Sequence, residues 1–166
     1  MSRSTTLSWS SRARVLTALT VAAAVLRVYG IAHQGLWFDE AYTVMLVKLP
    51  FARMLSAIGR TESTPYAYYV IAWVWTHLFG RGAGDLRALS ALFGTALVPV
   101  AYLAAARLLD SRRAGLVVAA LAAFNPLLIW YSQEARAYGL LALTAGLSLL
   151  AFAYARAQPT ARRLAA

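Results

Sequence analysis

Long apolar runs separated by short polar ones set the pattern of this chain. A hydrocarbon core about 30 Å thick takes about 20 apolar residues of helix to cross. Four runs reach or approach that length: Val15 to His33, Ala88 to Leu109, Gly115 to Trp130 and Tyr138 to Tyr154. They predict an all-α polytopic membrane bundle with four transmembrane helices. A fifth run, Pro65 to Phe79, is shorter and carries Tyr66, Tyr68, Tyr69, Trp73, Trp75 and His77. Amphipathic aromatics at that density suit the headgroup zone. The run is read as interfacial, with a fifth crossing as the alternative. Lys48 to Ile58 reads as an amphipathic segment lying on the membrane, because Phe51, Met54, Leu55 and Ile58 recur at helical spacing while Arg53 faces away. Pro126, after Asn125, predicts a kink or early stop in the third run. Pro99 falls inside the second, where neighbouring helices can satisfy the freed carbonyl.

Composition strengthens the membrane reading. Of 166 residues, 61% are hydrophobic and 13% charged, against roughly 45–50% and about 25% in a soluble domain. A chain this short cannot hide that excess in one core, which excludes an ordinary soluble enzyme. It also excludes a disordered chain. The net charge of +10 comes from scattered arginines, without the stripe that would track nucleic-acid phosphates. Cysteine is absent, so disulfides and thiolate metal sites are excluded. With the N-terminus in the cytoplasm, four crossings place nine basic residues inside and six outside, whereas five crossings reverse the count. The positive-inside rule therefore favours four. The chain divides into a basic cytoplasmic start (1–14), a membrane module (15–156) and a basic tail (157–166). The first run also has the basic start, apolar middle and small residues Ala22 to Ala24 of a signal peptide; under either reading the next segment lies outside the cytoplasm. Four crossings put Asp39, Glu40, Glu62, Asp85 and Glu134 on that outer face, and leave Asp110 in an inner turn among arginines.

Two clusters carry candidate chemistry. The first is Gly35-Leu36-Trp37-Phe38-Asp39-Glu40-Ala41-Tyr42. Asp39 and Glu40 either begin an interfacial helix, with Asp39 capping it and Glu40 complementing its dipole, or supply a catalytic base. Adjacent carboxylates diverge by about 100° on a helix, so one base is expected rather than a dyad. The second is Tyr131-Ser132-Gln133-Glu134-Ala135-Arg136-Ala137-Tyr138. Glu134 and Tyr138 are spaced to share a helical face, whereas Glu134 and Arg136 are not. A solvated turn is the alternative. Arg27, within the first run, would cost about 2.5–3.5 kcal/mol in lipid, and is expected to snorkel outward or face a polar cavity. Arg87 resembles an interface anchor. His33 and His77 are isolated and do not suggest a metal site.

These segments, in order, resemble the N-terminal part of the GT-C membrane glycosyltransferases, in the branch related to protein O-mannosyltransferases and aminoarabinose transferases (glycosyltransferase family 39-like). The resemblance rests on Leu36 to Tyr42, Thr64-Pro65-Tyr66-Ala67-Tyr68-Tyr69, Leu86-Arg87-Ala88-Leu89-Ser90-Ala91-Leu92-Phe93-Gly94 and Tyr131 to Tyr138, and runs from about Arg27 to Tyr154. Relatives often carry His-Pro-Pro where this chain has Ser63-Thr64-Pro65, and are much longer. The resemblance implies transfer of a sugar from a polyprenyl-phosphate donor to an acceptor on the outer side of the cytoplasmic membrane. It places Asp39 and Glu40 at the catalytic position, and Arg87, Glu134, Arg136 and Tyr138 at substrate. It is compatible with a divalent metal and with a longer chain or second subunit completing the bundle. A non-catalytic membrane subunit or an inactive remnant is the alternative; no nucleic-acid partner is expected.

Overall fold

A computed structural model describes residues 9–61 and 65–157. Glu62, Ser63, Thr64, the first eight residues and the tail from 158 lie outside the described residues. Eight helices are described: α1 (Trp9–Val28), α2 (Phe38–Val47), α3 (Phe51–Thr61), α4 (Tyr66–Phe79), α5 (Ala83–Leu108), α6 (Arg112–Phe124), α7 (Pro126–Ser132) and α8 (Tyr138–Ala157). There is no strand among the described residues. Helix α5, with 26 residues and a length of about 39 Å, is the central post. It runs unbroken through Pro99 and packs against α1, α4, α6, α7 and α8.

Two helices are long and apolar enough to cross a membrane, α5 and Tyr138–Arg156 of α8. A third span exists if α6 and α7, bent by 55° at their junction, count as one. By length and composition two to three spans are thus shown among the described residues, and the expected four are not. Helix α1 is the shortfall: Arg12, Arg14 and Arg27 dilute its apolar run. It also stops at Val28 rather than His33. Gly30 adopts a left-handed conformation (φ +72°), which ends the helix although apolar residues continue. The expected break at Pro126 is present, with Asn125 Oδ1 accepting from the N–H groups of Leu127 and Leu128 at the start of α7.

Small residues let the helices approach closely. A side chain at Gly139 of α8 would meet the backbone carbonyl of Ser90 on α5 at 2.9 Å. A Cβ at Gly94 of α5 would collide with Ser132 Oγ and lie 2.9 Å from Arg27 Nε. Gly94→Ala is therefore expected to cost about 1–3 kcal/mol, as overpacked sites do, measurable as an earlier unfolding transition in detergent.

Helices α2, α3 and α4 form a second layer over the N-terminal half of α5. The core there joins Val44, Leu46 and Val47 of α2, Met54 and Ile58 of α3, Tyr68, Tyr69 and Ala72 of α4, Leu86 and Leu89 of α5, and Ala135. This corrects two expectations. The apolar face of α3 is occupied by protein, with Met54 and Ile58 buried. The aromatics of α4 bind the layer together rather than float it at an interface: Tyr68 and Tyr69 are buried, Trp73 Nε1 donates to the Leu49 carbonyl at 3.1 Å and Trp75 Nε1 to that of Asp85 at 2.7 Å. Phe51 meets Trp73 edge-on.

Candidate functional site

After α1 the chain turns through residues 29–36 and enters α2 from an extended Trp37. Glu40, in the first turn, folds back. Its Oε2 accepts from the Trp37 N–H at 3.1 Å, the reciprocal half of a capping box. Asp39 makes no such contact and is exposed, so the helix-start role expected of Asp39 falls to Glu40.

Glu40 is 1% exposed and does much more. Arg87, in the second turn of α5, forms a two-pronged pair with it: Nε to Oε1 at 2.8 Å and Nη2 to Oε2 at 2.5 Å. Planar fork-on-fork pairing is the strongest geometry available to these groups. Arg87 Nη1 also donates to the carbonyls of Ile31 and Gln34, and Nη2 to that of Gly35. All five of its N–H groups are thereby used. The backbone N–H of Ala135 completes the carboxylate, donating to Oε1 at 2.8 Å. Burial pushes the Glu40 carboxyl up, but the Arg87 hydrogen bonds, the N–H groups of Ala135 and Trp37 and the Arg87 charge outweigh it, and its pKa lies below the ordinary carboxylate value. Glu40 and Arg87 are thus committed to one another and to the backbone.

That backbone belongs to the second cluster. The elbow and the corner, 95 residues apart at Glu40 and Ala135, meet. Gln133 Nε2 donates to the Leu26 and Tyr29 carbonyls at the end of α1, and the Trp37 and Trp130 rings lie 6.4 Å apart. Between them is a cavity of about 280 Å³ lined by Tyr29 to Ile31, His33, Gln34, Trp37, Arg87, Trp130, Gln133 and Glu134. Glu134 Oε1 accepts from Trp130 Nε1 at 2.6 Å.

Arg136 and Tyr138 do not join this cavity. They line another, of about 400 Å³, with Pro65, Tyr68, Leu140, Leu141 and Thr144. The shared face expected for Glu134 and Tyr138 is also absent, because helix α8 begins only at Tyr138; Tyr138 pairs instead with Tyr131, ring centres 4.6 Å apart. Asp39 does not line the first cavity.

Arg27 departs furthest from expectation. It is fully buried and snorkels nowhere. Pro126 has no N–H to offer the Ala122 carbonyl four residues back, and the Leu127 N–H that would serve Ala123 is taken by Asn125. Arg27 fills both places, with Nη2 to the Ala122 carbonyl at 2.9 Å and Nη1 to that of Ala123 at 3.1 Å. Its Nε reaches Ser132 Oγ at 3.2 Å. The negative end of the α6 dipole faces the guanidinium. Trp130, at the end of the third apolar run, was not singled out by the sequence; it meets Glu134 because the chain turns directly after α7. Among the described residues no three His, Asp or Glu side chains group as metal ligands would. Comparison with protein-family models, with curated proteins and with solved structures returned no match.

Proposed function

We propose that this chain is the N-terminal membrane module of a GT-C-type glycosyltransferase, moving a sugar from a polyprenyl-phosphate donor to an acceptor on the outer side of the cytoplasmic membrane. The observation that carries the reading is the junction of the Asp-Glu elbow with the Gln-Glu-Ala-Arg corner. Two segments remote in sequence close on one cavity lined by indole rings and a carboxylate, the surface chemistry that suits a sugar.

The roles differ from those the resemblance implies. Glu40 has every accessible lone pair engaged and Arg87 every N–H, so both hold the elbow in place. Asp39, one residue earlier and exposed, is the base. The acceptor hydroxyl oxygen attacks the anomeric carbon; its proton passes to Asp39. The bond from that carbon to the lipid-phosphate oxygen breaks, and its electron pair leaves with the phosphate. Arg136, which the resemblance places at substrate, lines the second cavity instead.

Membranes containing the chain, supplied with polyprenyl-phosphate sugar, test this. Asp39→Asn is expected to lower transfer by about 100-fold or more, the contribution of a positioned base, with unchanged membrane insertion. Transfer at the parental rate removes Asp39 from the mechanism.

A further inference from the structure

We propose that the paired ends of α5 and α8 form a binding site for the phosphate of an anionic phospholipid headgroup, with Arg107 and Arg156 as its cations. The inference goes beyond the transferase reading and uses none of its residues. Arg107 follows Arg87 on α5 by 20 residues, about 30 Å of helix, which is about the thickness of a hydrocarbon core.

Helices α5 and α8 run side by side in the same direction. Gly139 lies against Ser90, Gly146 against Leu97, and Arg156 Nη2 donates to the Leu108 carbonyl at 3.2 Å. These are the two helices long and apolar enough to cross a membrane, so both end at the same edge of it, each with an arginine in its last turn. Each arginine offsets the dipole of a helix end, yet a surplus remains. A helix C-terminus carries about half a negative charge, so the two ends together offset about one of the two guanidinium charges. The turn after α5 adds Arg112 and Arg113 against Asp110, the one acid at this end among the described residues.

Both cations are held in position with donors to spare. Arg107 Cζ stands 4.0 Å from the centre of the Tyr154 ring. A ring holds a cation through its quadrupole and uses up none of its N–H groups. Arg156 spends one N–H on Leu108 and keeps the rest of its fork. Both side chains are exposed. A guanidinium fixed by its neighbours, with its donors open, is preorganised for the two-pronged geometry of a phosphate. The surface beside it suits acyl chains. Phe152 precedes Arg156 by one helical turn and Leu149 by two, on the same face, and they are 59% and 54% exposed. A free phosphate has no use for that apolar stripe, and a lipid covers it.

The test uses the full chain in detergent, with phosphatidylglycerol, phosphatidylcholine and inorganic phosphate as probes and native mass spectrometry to read bound lipid. Phosphatidylglycerol is expected to bind at least about fivefold more tightly than phosphatidylcholine, whose choline cancels the phosphate charge. An excess of inorganic phosphate is expected to leave it in place. Arg107→Gln and Arg156→Gln are each expected to weaken phosphatidylglycerol about fivefold, the worth of one basic residue at an anionic membrane surface, with phosphatidylcholine and the unfolding temperature unchanged. Tyr154→Leu removes the ring under Arg107 and is expected to weaken phosphatidylglycerol about threefold; Tyr154→Phe keeps the ring and the affinity. Arg53→Gln takes the same charge from the exposed side of α3 and is expected to leave binding unchanged. Equal binding of the two lipids overturns the proposal and leaves the arginines to their helix ends. Displacement by inorganic phosphate overturns the lipid assignment in favour of a free anion. Arg53→Gln weakening phosphatidylglycerol as much as Arg107→Gln overturns the site in favour of diffuse charge.

Discussion

Glu40→Ala should destabilise the chain by about 3–5 kcal/mol, the cost of leaving one partner of a buried ion pair alone. The substitution strands the Arg87 guanidinium, 3% exposed, and removes the acceptor for the Trp37 and Ala135 N–H groups. Arg87→Ala should be equally severe, since it also orphans the carbonyls of Ile31, Gln34 and Gly35. The double variant should be less destabilised than the sum of the singles, by the 0.5–3 kcal/mol or so typical of directly coupled groups. Chemical unfolding in mixed micelles reads all three. Strict additivity of the two losses would deny the pairing. The same pair sets an acid limit. The folded-state pKa of Glu40 lies below its unfolded value, so its contribution is complete above the unfolded carboxylate pKa of about 4.3. It drains away as the pH falls through the lower, folded value. Unfolding temperature should therefore hold from neutrality to about pH 5 and decline below about pH 4. Glu40→Gln should start lower and flatten that decline.

Arg27→Ala should be nearly as costly. It leaves the Ala122 and Ala123 carbonyls, both buried and both denied their helical donors by the Asn125-Pro126 break, without a partner. An unsatisfied buried acceptor costs about 1–3 kcal/mol, so two cost roughly 2–6 kcal/mol. Arg27→Lys should recover part of this, because an ammonium can reach one carbonyl where the fork reaches two. The discriminating variant is Pro126→Ala. By returning an N–H to the Ala122 carbonyl, it should soften the penalty of Arg27→Ala, so that the pair loses less than the two singles predict. If Arg27 served only as a lipid-facing anchor, Pro126→Ala would leave its penalty unchanged.

The helices were legible because lipid-scale apolar runs and Pro126 are local signals. The end of α1 was not, because Ile31 continues the apolar pattern while Gly30 turns the chain away. Tyr68 and Tyr69 misled for a related reason. Hydropathy reports that an aromatic shuns water, but cannot distinguish a headgroup zone from a protein core. The two polar clusters were visible as interruptions of the apolar runs, and their meeting was inferred from a shared face. What each charge binds was hidden. Glu40 and Arg87 are 47 residues apart, and Arg27 and Ser132 are 105 apart, so no spacing rule connects them. Glu134 and Arg136 line different cavities, an outcome of the turn between α7 and α8 rather than of helical spacing.

Arg27 has a consequence for how the chain is made. The ribosome delivers α1 first, and the carbonyls that receive its guanidinium arrive 95 and 96 residues later. Throughout that interval the Arg27 guanidinium has only the Ala23 carbonyl of its own helix as a partner. It must wait where water or translocation machinery can hold the charge, and it docks only when the broken helix emerges. A nascent chain stalled ahead of Pro126 would keep α1 extractable by alkaline carbonate, and one stalled well beyond Ser132 would not. The order of synthesis thus makes the bend at Pro126 the event expected to complete the seat of Arg27.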